Sequence, residues 1–404
     1  MRPSLPSRPF LAAILAASVA ACGSDGCGCV DAPKETKAPA QAPPSKTVIT
    51  PDAAPTPPPP VNEYKEEDIS VEAEVDRFLK GLRLCVEKKK DCARSKKLGR
   101  KMARRALRDA RKGEKERLGR VWTLLLGALG TEEEAAIRVE IVQSLSVAQK
   151  GAKEHVGALM SLLDKEEGPQ VARRLASVLM PALGGEHEAE LGRLEAYLSR
   201  LDRADPALLA GQVACWSGIG GLAKKDARWI DLALERLGKD PRPQIHVVLA
   251  KLLGMAGGAE RDRVVGSLAK AMRRSRSLKD ISLSSTTIEA LGKLGAAKFL
   301  PQMVREIQSR HDQVSFLPSA ALGLFHLVQH QEAEFDRGVV LGAAQEILKI
   351  PGLSLVAYRF SLFAIRDSGH KDAPSLLKSF LKHPNKEVRK IALKALLGVG
   401  KASP

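Results

Sequence analysis

The chain has 404 residues, 44% of them hydrophobic but only 4% aromatic, and its 64 Lys and Arg against 47 Asp and Glu give a formal charge of +17. That apolar fraction supports a true core. Few aromatics beside abundant Leu and Ala favour helix-on-helix packing over a β-sandwich, because strands enrich β-branched and aromatic side chains. Six cysteines are too few and too scattered to staple a chain of this length, which excludes a disulfide-held scaffold.

Residues 1–21 have the form of an export signal. Arg2 and Arg8 make a positive start, Phe10–Ala21 is apolar, and Val19-Ala20-Ala21 is a small-residue site directly before Cys22. The apolar stretch is too short to span a bilayer, which takes ~20 residues. Val-Ala-Ala-Cys resembles the lipobox of bacterial lipoproteins. The resemblance implies that Cys22 becomes a lipidated mature N-terminus and that the chain is anchored in the cell envelope, facing the periplasm or the surface. Gly23 and Ser24 stand where some bacteria place an aspartate retention signal, which favours the outer membrane over the inner. The alternative for the same residues is an ordinary secreted protein in which Cys22, Cys27 and Cys29 form disulfides.

Residues 22–65 are predicted to be a disordered Pro/Ala-rich tether. Ten prolines fall between Asp31 and Val61, including the run Pro57–Pro60, and such a composition cannot bury a core. In polyproline II, at ~3.1 Å per residue, the tether would reach on the order of 100 Å.

Residues 66–114 are predicted to be a basic helical cap. Between Arg77 and Arg120 there are nineteen Lys or Arg against five Asp or Glu, a net of +14; without Arg2 and Arg8 the whole chain carries +15. Two helices are expected over 79–120, broken at Gly113, with sparse apolar positions such as Leu82, Met102, Leu107, Leu118 and Val121. Candidate anion-binding residues are Lys88, Lys89, Lys90, Lys96, Lys97, Arg100, Lys101, Arg104 and Arg105, with Lys88, Lys89, Lys90, Arg104 and Arg105 expected to face solvent. Anionic lipid or lipopolysaccharide is the expected ligand. The competing expectation is a solvated polar cap on the helices that follow. Nucleic acid is disfavoured as a partner of an exported chain. Cys85 and Cys92 lie seven apart; on one continuous helix their Cα atoms would be about 10 Å apart, beyond the ~7 Å limit for bridging. A disulfide between them therefore requires a turn within 87–91, and the residues leave both states open.

From 115 to 404 apolar residues recur at three- and four-residue steps, as in Ile137-Ile141-Val142-Leu145 and Ile245-Leu249-Leu252-Leu253. Breakers such as Gly168-Pro169, Asp205-Pro206, Asp240-Pro241 and His383-Pro384 separate the segments. Second helices of successive pairs are expected near Glu134, Pro169, Pro206, Pro241, Ser284, Gln313, Ser354 and Pro384, at gaps of 29 to 43 residues. The last unit reads Pro384-Asn385-x-x-Val388-Arg389-x-x-Ala392-Leu393-x-x-Leu396-Leu397-Gly398. This resembles the HEAT-like repeat, including the type first named from phycobilisome lyases. Partial copies run Ile137-Arg138 to Leu145, Val171 to Leu179 and Thr287 to Gly295. The resemblance implies an all-α, α-α superhelix, a HEAT/armadillo-like solenoid, and implies that Arg138, Arg173 and Arg389 brace neighbouring repeats.

Chemistry-bearing motifs are sparse. His326-x₃-His330, followed by Glu332 and Glu334, has metal-like spacing but not the catalytic H-E-x-x-H form; a surface pair is expected, with no metal and no cofactor. Cys215, on an apolar helix, is expected to be a buried small hydrophobe. No phosphate loop, nucleophile elbow or Cys-His pairing appears. The expected function is a non-catalytic, membrane-anchored scaffold for a protein or envelope partner. The alternative is an accessory subunit that docks anionic lipid or lipopolysaccharide through its basic helices, and an enzyme of lyase type ranks below both.

Overall fold

Six helix starts use side chains suited to an N-cap. The hydroxyls of Ser70 and Ser354 and the side-chain oxygens of Asp205, Asp280, Asp336 and Asn385 each accept a hydrogen bond from a backbone N–H of the first turn. Proline opens α6, α8 and α11 of the helices named below, where its missing N–H costs nothing. A computed structural model describes residues 70–399 apart from 203, 278 and 331–333. Cys22, the expected export signal over 1–21, the expected tether over 22–65 and Glu332 lie outside the described residues.

Among the described residues there are nineteen α-helices, five short 3-10 segments and no strand. In chain order the first ten are α1 Val71–Glu87, α2 Ala93–Arg111, α3 Lys115–Thr131, α4 Ala135–Val147, α5 Val156–Asp164, α6 Pro169–Leu179, α7 Glu188–Ser199, α8 Pro206–Gly218, α9 Gly220–Ala223 and α10 Arg228–Lys239. The rest are α11 Pro243–Leu253, α12 Arg261–Ser277, α13 Ile281–Lys293, α14 Leu300–Ser309, α15 Leu317–Gln329, α16 Arg337–Leu348, α17 Leu355–Asp367, α18 Ala373–Ser379 and α19 Lys386–Leu397.

Setting aside the single-turn α9, the helices follow one another as pairs in which the second member packs on the second member of the next. The series runs α2, α4, α6, α8, α11, α13, α15, α17, α19, each against its successor. First members meet more sparsely, α1 on α3, α5 on α7 and α14 on α16 among them. Between α13 and α15 small residues permit a close approach. A Cβ on Gly292 of α13 would collide with the backbone of Gly323 on α15, and one on Gly323 would lie 2.7 Å from the carbonyl oxygen of Ile288. The two backbones therefore touch where neither residue has a side chain. One buried apolar cluster runs from Val75 to Ala395, so the basic helices share their core with the rest.

Four helix starts lie two or more residues from the expected positions. α13 begins at Ile281, ahead of Ser284, α19 begins at Lys386, after Pro384, and the other two shift for a local reason. The helix expected at Pro241 begins at Pro243, because Asp240 accepts hydrogen bonds from the backbone N–H and the guanidinium of Arg242, both at 2.9 Å, and holds that residue extended. The helix expected at Gln313 begins at Leu317, after the turn bonds Gln313 N–H to Arg310 carbonyl and Phe316 N–H to Gln313 carbonyl. The three motif arginines also diverge. Arg138 makes a forked pair with Glu166, at 3.1 and 2.5 Å, and Glu166 in turn accepts from the N–H of Gly168 just before α6, so it links one pair to the next. Arg389 instead donates to the carbonyls of His383 and Pro384 in the turn before its own helix. Arg173 is exposed.

Candidate functional site

The basic segment is divided by two breaks, not one. The chain turns at 88–92 as well as at 112–114, so the cations sit on the end of α1, along α2 and on the start of α3. Lys90 N–H donates to the Cys85 carbonyl at 2.8 Å, Lys89 takes a positive φ of 50°, and the Asp91 carboxylate accepts from Ala93 N–H at the start of α2. This turn brings the Cα atoms of Cys85 and Cys92 to 5.5 Å, and their sulfurs form a disulfide. Lys88, Lys89 and Lys90 are exposed at its tip.

Along α2 the acids of neighbouring helices sort the cations. Gly99, Met102, Ala103 and Ala106 face the core. Lys96 pairs with Glu140 at 3.0 Å, and Arg105 shares Glu74 with Arg117 at 3.3 and 2.6 Å, Arg117 also lying 3.5 Å from Asp109. Arg105 is therefore half-buried, not solvent-facing as expected, because Glu74 on α1 draws it inward; Lys96 is partly buried for the same kind of reason. Lys97, Arg100, Lys101 and Arg104 are exposed, and so are Arg94, Arg108 and Arg111, which the sequence reading did not single out. The signal that would have separated them was helical phase: Arg104 and Arg105 are adjacent in sequence but ~100° apart around the helix.

A second surface feature joins α15 to α17. The ring of Phe325 lies 5.4 Å from that of Phe360 and 6.2 Å from that of Phe363, both tilted. Arg366 and Arg359 place their guanidinium groups 4.7 and 5.8 Å from the Phe363 ring centre. Gln329 donates to the Asp367 carboxylate at 2.6 Å, tying the two helices together at this point. Phe325 and Phe360 are only half-buried, and Leu355 and Val356, in the first turn of α17, are 44% and 51% exposed. The available sequence signal was the window Val356–Ile365, more apolar than a helix with a single buried stripe requires.

Two buried ionic networks brace the helix pairs. Arg236 and Arg242 both bind the Asp240 carboxylate, at 2.5 and 2.8 Å to Oδ2, and Arg242 reaches Gln212 of α8 at 2.6 Å. Burial opposes the charge on Asp240, but the hydrogen bonds from Arg242 and the two guanidinium charges hold its carboxyl below the usual range. His246 packs beside it with Nε2 2.5 Å from the Asp240 carbonyl oxygen, and burial pushes its imidazole down. In the second network Glu306 receives Arg276, Arg310 and Ser284, which outweigh burial and keep it ionised. Fully buried Cys215 has its thiol pushed well up by desolvation.

The His326 and His330 spacing does not build a centre of three or more His, Cys, Asp or Glu among the described residues. His330 Nε2 lies 2.7 Å from the Lys293 carbonyl, Glu334 is exposed, and burial lowers His326. No described helix is long and apolar enough to cross a membrane. The chain matches no protein-family model, and no curated protein matches it.

Proposed function

We propose that this is a lipid-anchored, non-catalytic scaffold of the bacterial cell envelope. In this reading Cys22 carries the lipid, residues 22–65 act as a spacer, and the helix pairs stack as a HEAT-like α-α superhelix that holds a protein partner. The observation that carries partner binding is the Phe325, Phe360 and Phe363 cluster with Arg359 and Arg366, bordered by exposed Leu355 and Val356. Aromatic and arginine side chains dominate the energetics of protein interfaces, and rigid rings lose little entropy when a partner covers them. Packing of each second helix on the next, with the backbones of α13 and α15 in contact at Gly292 and Gly323, supports the superhelical reading.

Crosslinking and mass spectrometry on the full chain in its own membranes tests the proposal. Partner crosslinks should map near α15 and α17 and should drop at least tenfold in a Phe360→Ala, Arg359→Ala variant that keeps its helicity. Crosslinks unaffected by that variant would sink it.

A second reading, docking of anionic lipid or lipopolysaccharide by the basic helices, is favoured by the exposed Lys88-Lys89-Lys90 turn and by the cations of α2 that face solvent.

A further inference from the structure

The exposed cations of α2 lie in a pattern. Arg94, Lys97, Lys101, Arg104, Arg108 and Arg111 follow one another at alternating three- and four-residue steps, and all six are exposed. Such steps keep them on one face of the helix, opposite Gly99, Met102, Ala103 and Ala106. At ~1.5 Å per residue the line is about 26 Å long. Arg94, Lys97, Arg104, Arg108 and Arg111 pair with no acid among the described residues, whereas the inward cations Lys96, Arg105 and Arg117 all meet carboxylates. The Lys88-Lys89-Lys90 turn, clasped by Cys85–Cys92, precedes the N-terminal end of the line by a few residues.

We infer that this line, not the whole basic segment, is a docking edge for the phosphate headgroups of an anionic phospholipid bilayer. The inference rests on the second reading above and narrows it to a ligand and a set of side chains. A line of cations along one face of a helix suits a flat array of phosphates better than an enclosing pocket. A bilayer presents phosphates everywhere on its surface, so no register between cation and anion is needed. A single-stranded nucleic acid would call for aromatic stacking platforms, and α2 contains no aromatic residue. Each surface cation near an anionic leaflet strengthens binding by about fivefold at moderate salt.

The test uses the chain from residue 23 onward, which lacks the acyl anchor and keeps every described residue. It is co-sedimented with phosphatidylglycerol–phosphatidylcholine vesicles, with pure phosphatidylcholine vesicles, and with the anionic vesicles in the presence of soluble polyphosphate. Arg94→Gln, Lys97→Gln, Arg104→Gln and Arg108→Gln together form the edge variant. A control variant neutralises four exposed lysines elsewhere, Lys371, Lys378, Lys382 and Lys394. The expected result is binding to anionic vesicles only, a hundredfold or greater loss in the edge variant, and less than a fivefold loss in the control. Circular dichroism confirms that both variants keep their helicity. Equal losses in the two variants would show a diffuse charge effect and overturn the edge. No preference for anionic over neutral vesicles, or complete displacement by a few phosphate equivalents of polyphosphate, would overturn the bilayer as ligand. The system contains no partner protein, so none of these outcomes bears on the scaffold proposal.

Discussion

At the residue scale the buried polar groups set how the fold responds to pH. His155, His246 and His326 are all lowered by burial, so the folded state prefers them neutral while the unfolded chain protonates them near an ordinary pKa of ~6.5. Below that value the unfolded state binds more protons, so stability is full above it and falls as pH drops toward the depressed folded values. Asp240 and Glu306 have the same sign at more acid pH: their contribution is present above the unfolded carboxylate value of ~4 and is lost as pH falls through the lower folded value. Thermal unfolding should therefore show a Tm that declines from pH 7.5 to pH 5.5 and declines further below pH 4. His246→Gln should flatten the upper part of that curve; an unchanged slope would mean His246 does not titrate on unfolding. A second prediction concerns Gly323. Gly323→Ala forces a methyl against the Ile288 backbone, an overpacking that costs about 1–3 kcal/mol, whereas Gly342→Ala meets open space and should be neutral or mildly stabilising. Denaturant melts of the two variants should separate in that order.

At the element scale the turn between α1 and α2 is the clearest local device. The disulfide closes a short loop, and the chain-entropy relation assigns it about 2–3 kcal/mol. Cys85→Ser with Cys92→Ser should lower stability by roughly that amount and raise hydrogen exchange at 88–92 more than in α3 or α4. Uniform exchange across those helices would deny the turn a local role. The sequence showed that a bridge needed a turn here, but not that one forms. A run of Lys88-Lys89-Lys90 has no glycine to signal a left-handed residue, and Lys89 adopts one nonetheless. Helix starts were more legible: Pro169 and Pro206 open α6 and α8 at the expected residues, since a proline at the first turn acts through its own fixed φ. Near Pro241 the start moves two residues on, to a second proline, Pro243, with Arg242 held extended by Asp240.

At the scale of the whole molecule, helix pairs repeat from Val71 to Leu397 around one continuous core. The anchoring proposal makes its own prediction at this scale. Cys22→Ala should move the protein from the membrane pellet to the soluble fraction after a high-salt wash, since salt screens the docking edge and leaves the lipid as the remaining attachment. Full retention of the variant in the washed pellet would defeat that claim. The succession of helices and their alternation into pairs could be read from the chain alone, because apolar periodicity, caps and breakers act within a few residues of one another. Which cations stay exposed, and where the phenylalanines meet, was decided only by packing. Arg105 turns inward to Glu74, thirty-one residues away, while its neighbour Arg104 stays in solvent; Phe325 finds Phe360 on the next helix pair. Contacts between side chains so distant in sequence depend on how one helix is seated on another, and short-range pattern carries no record of that seating.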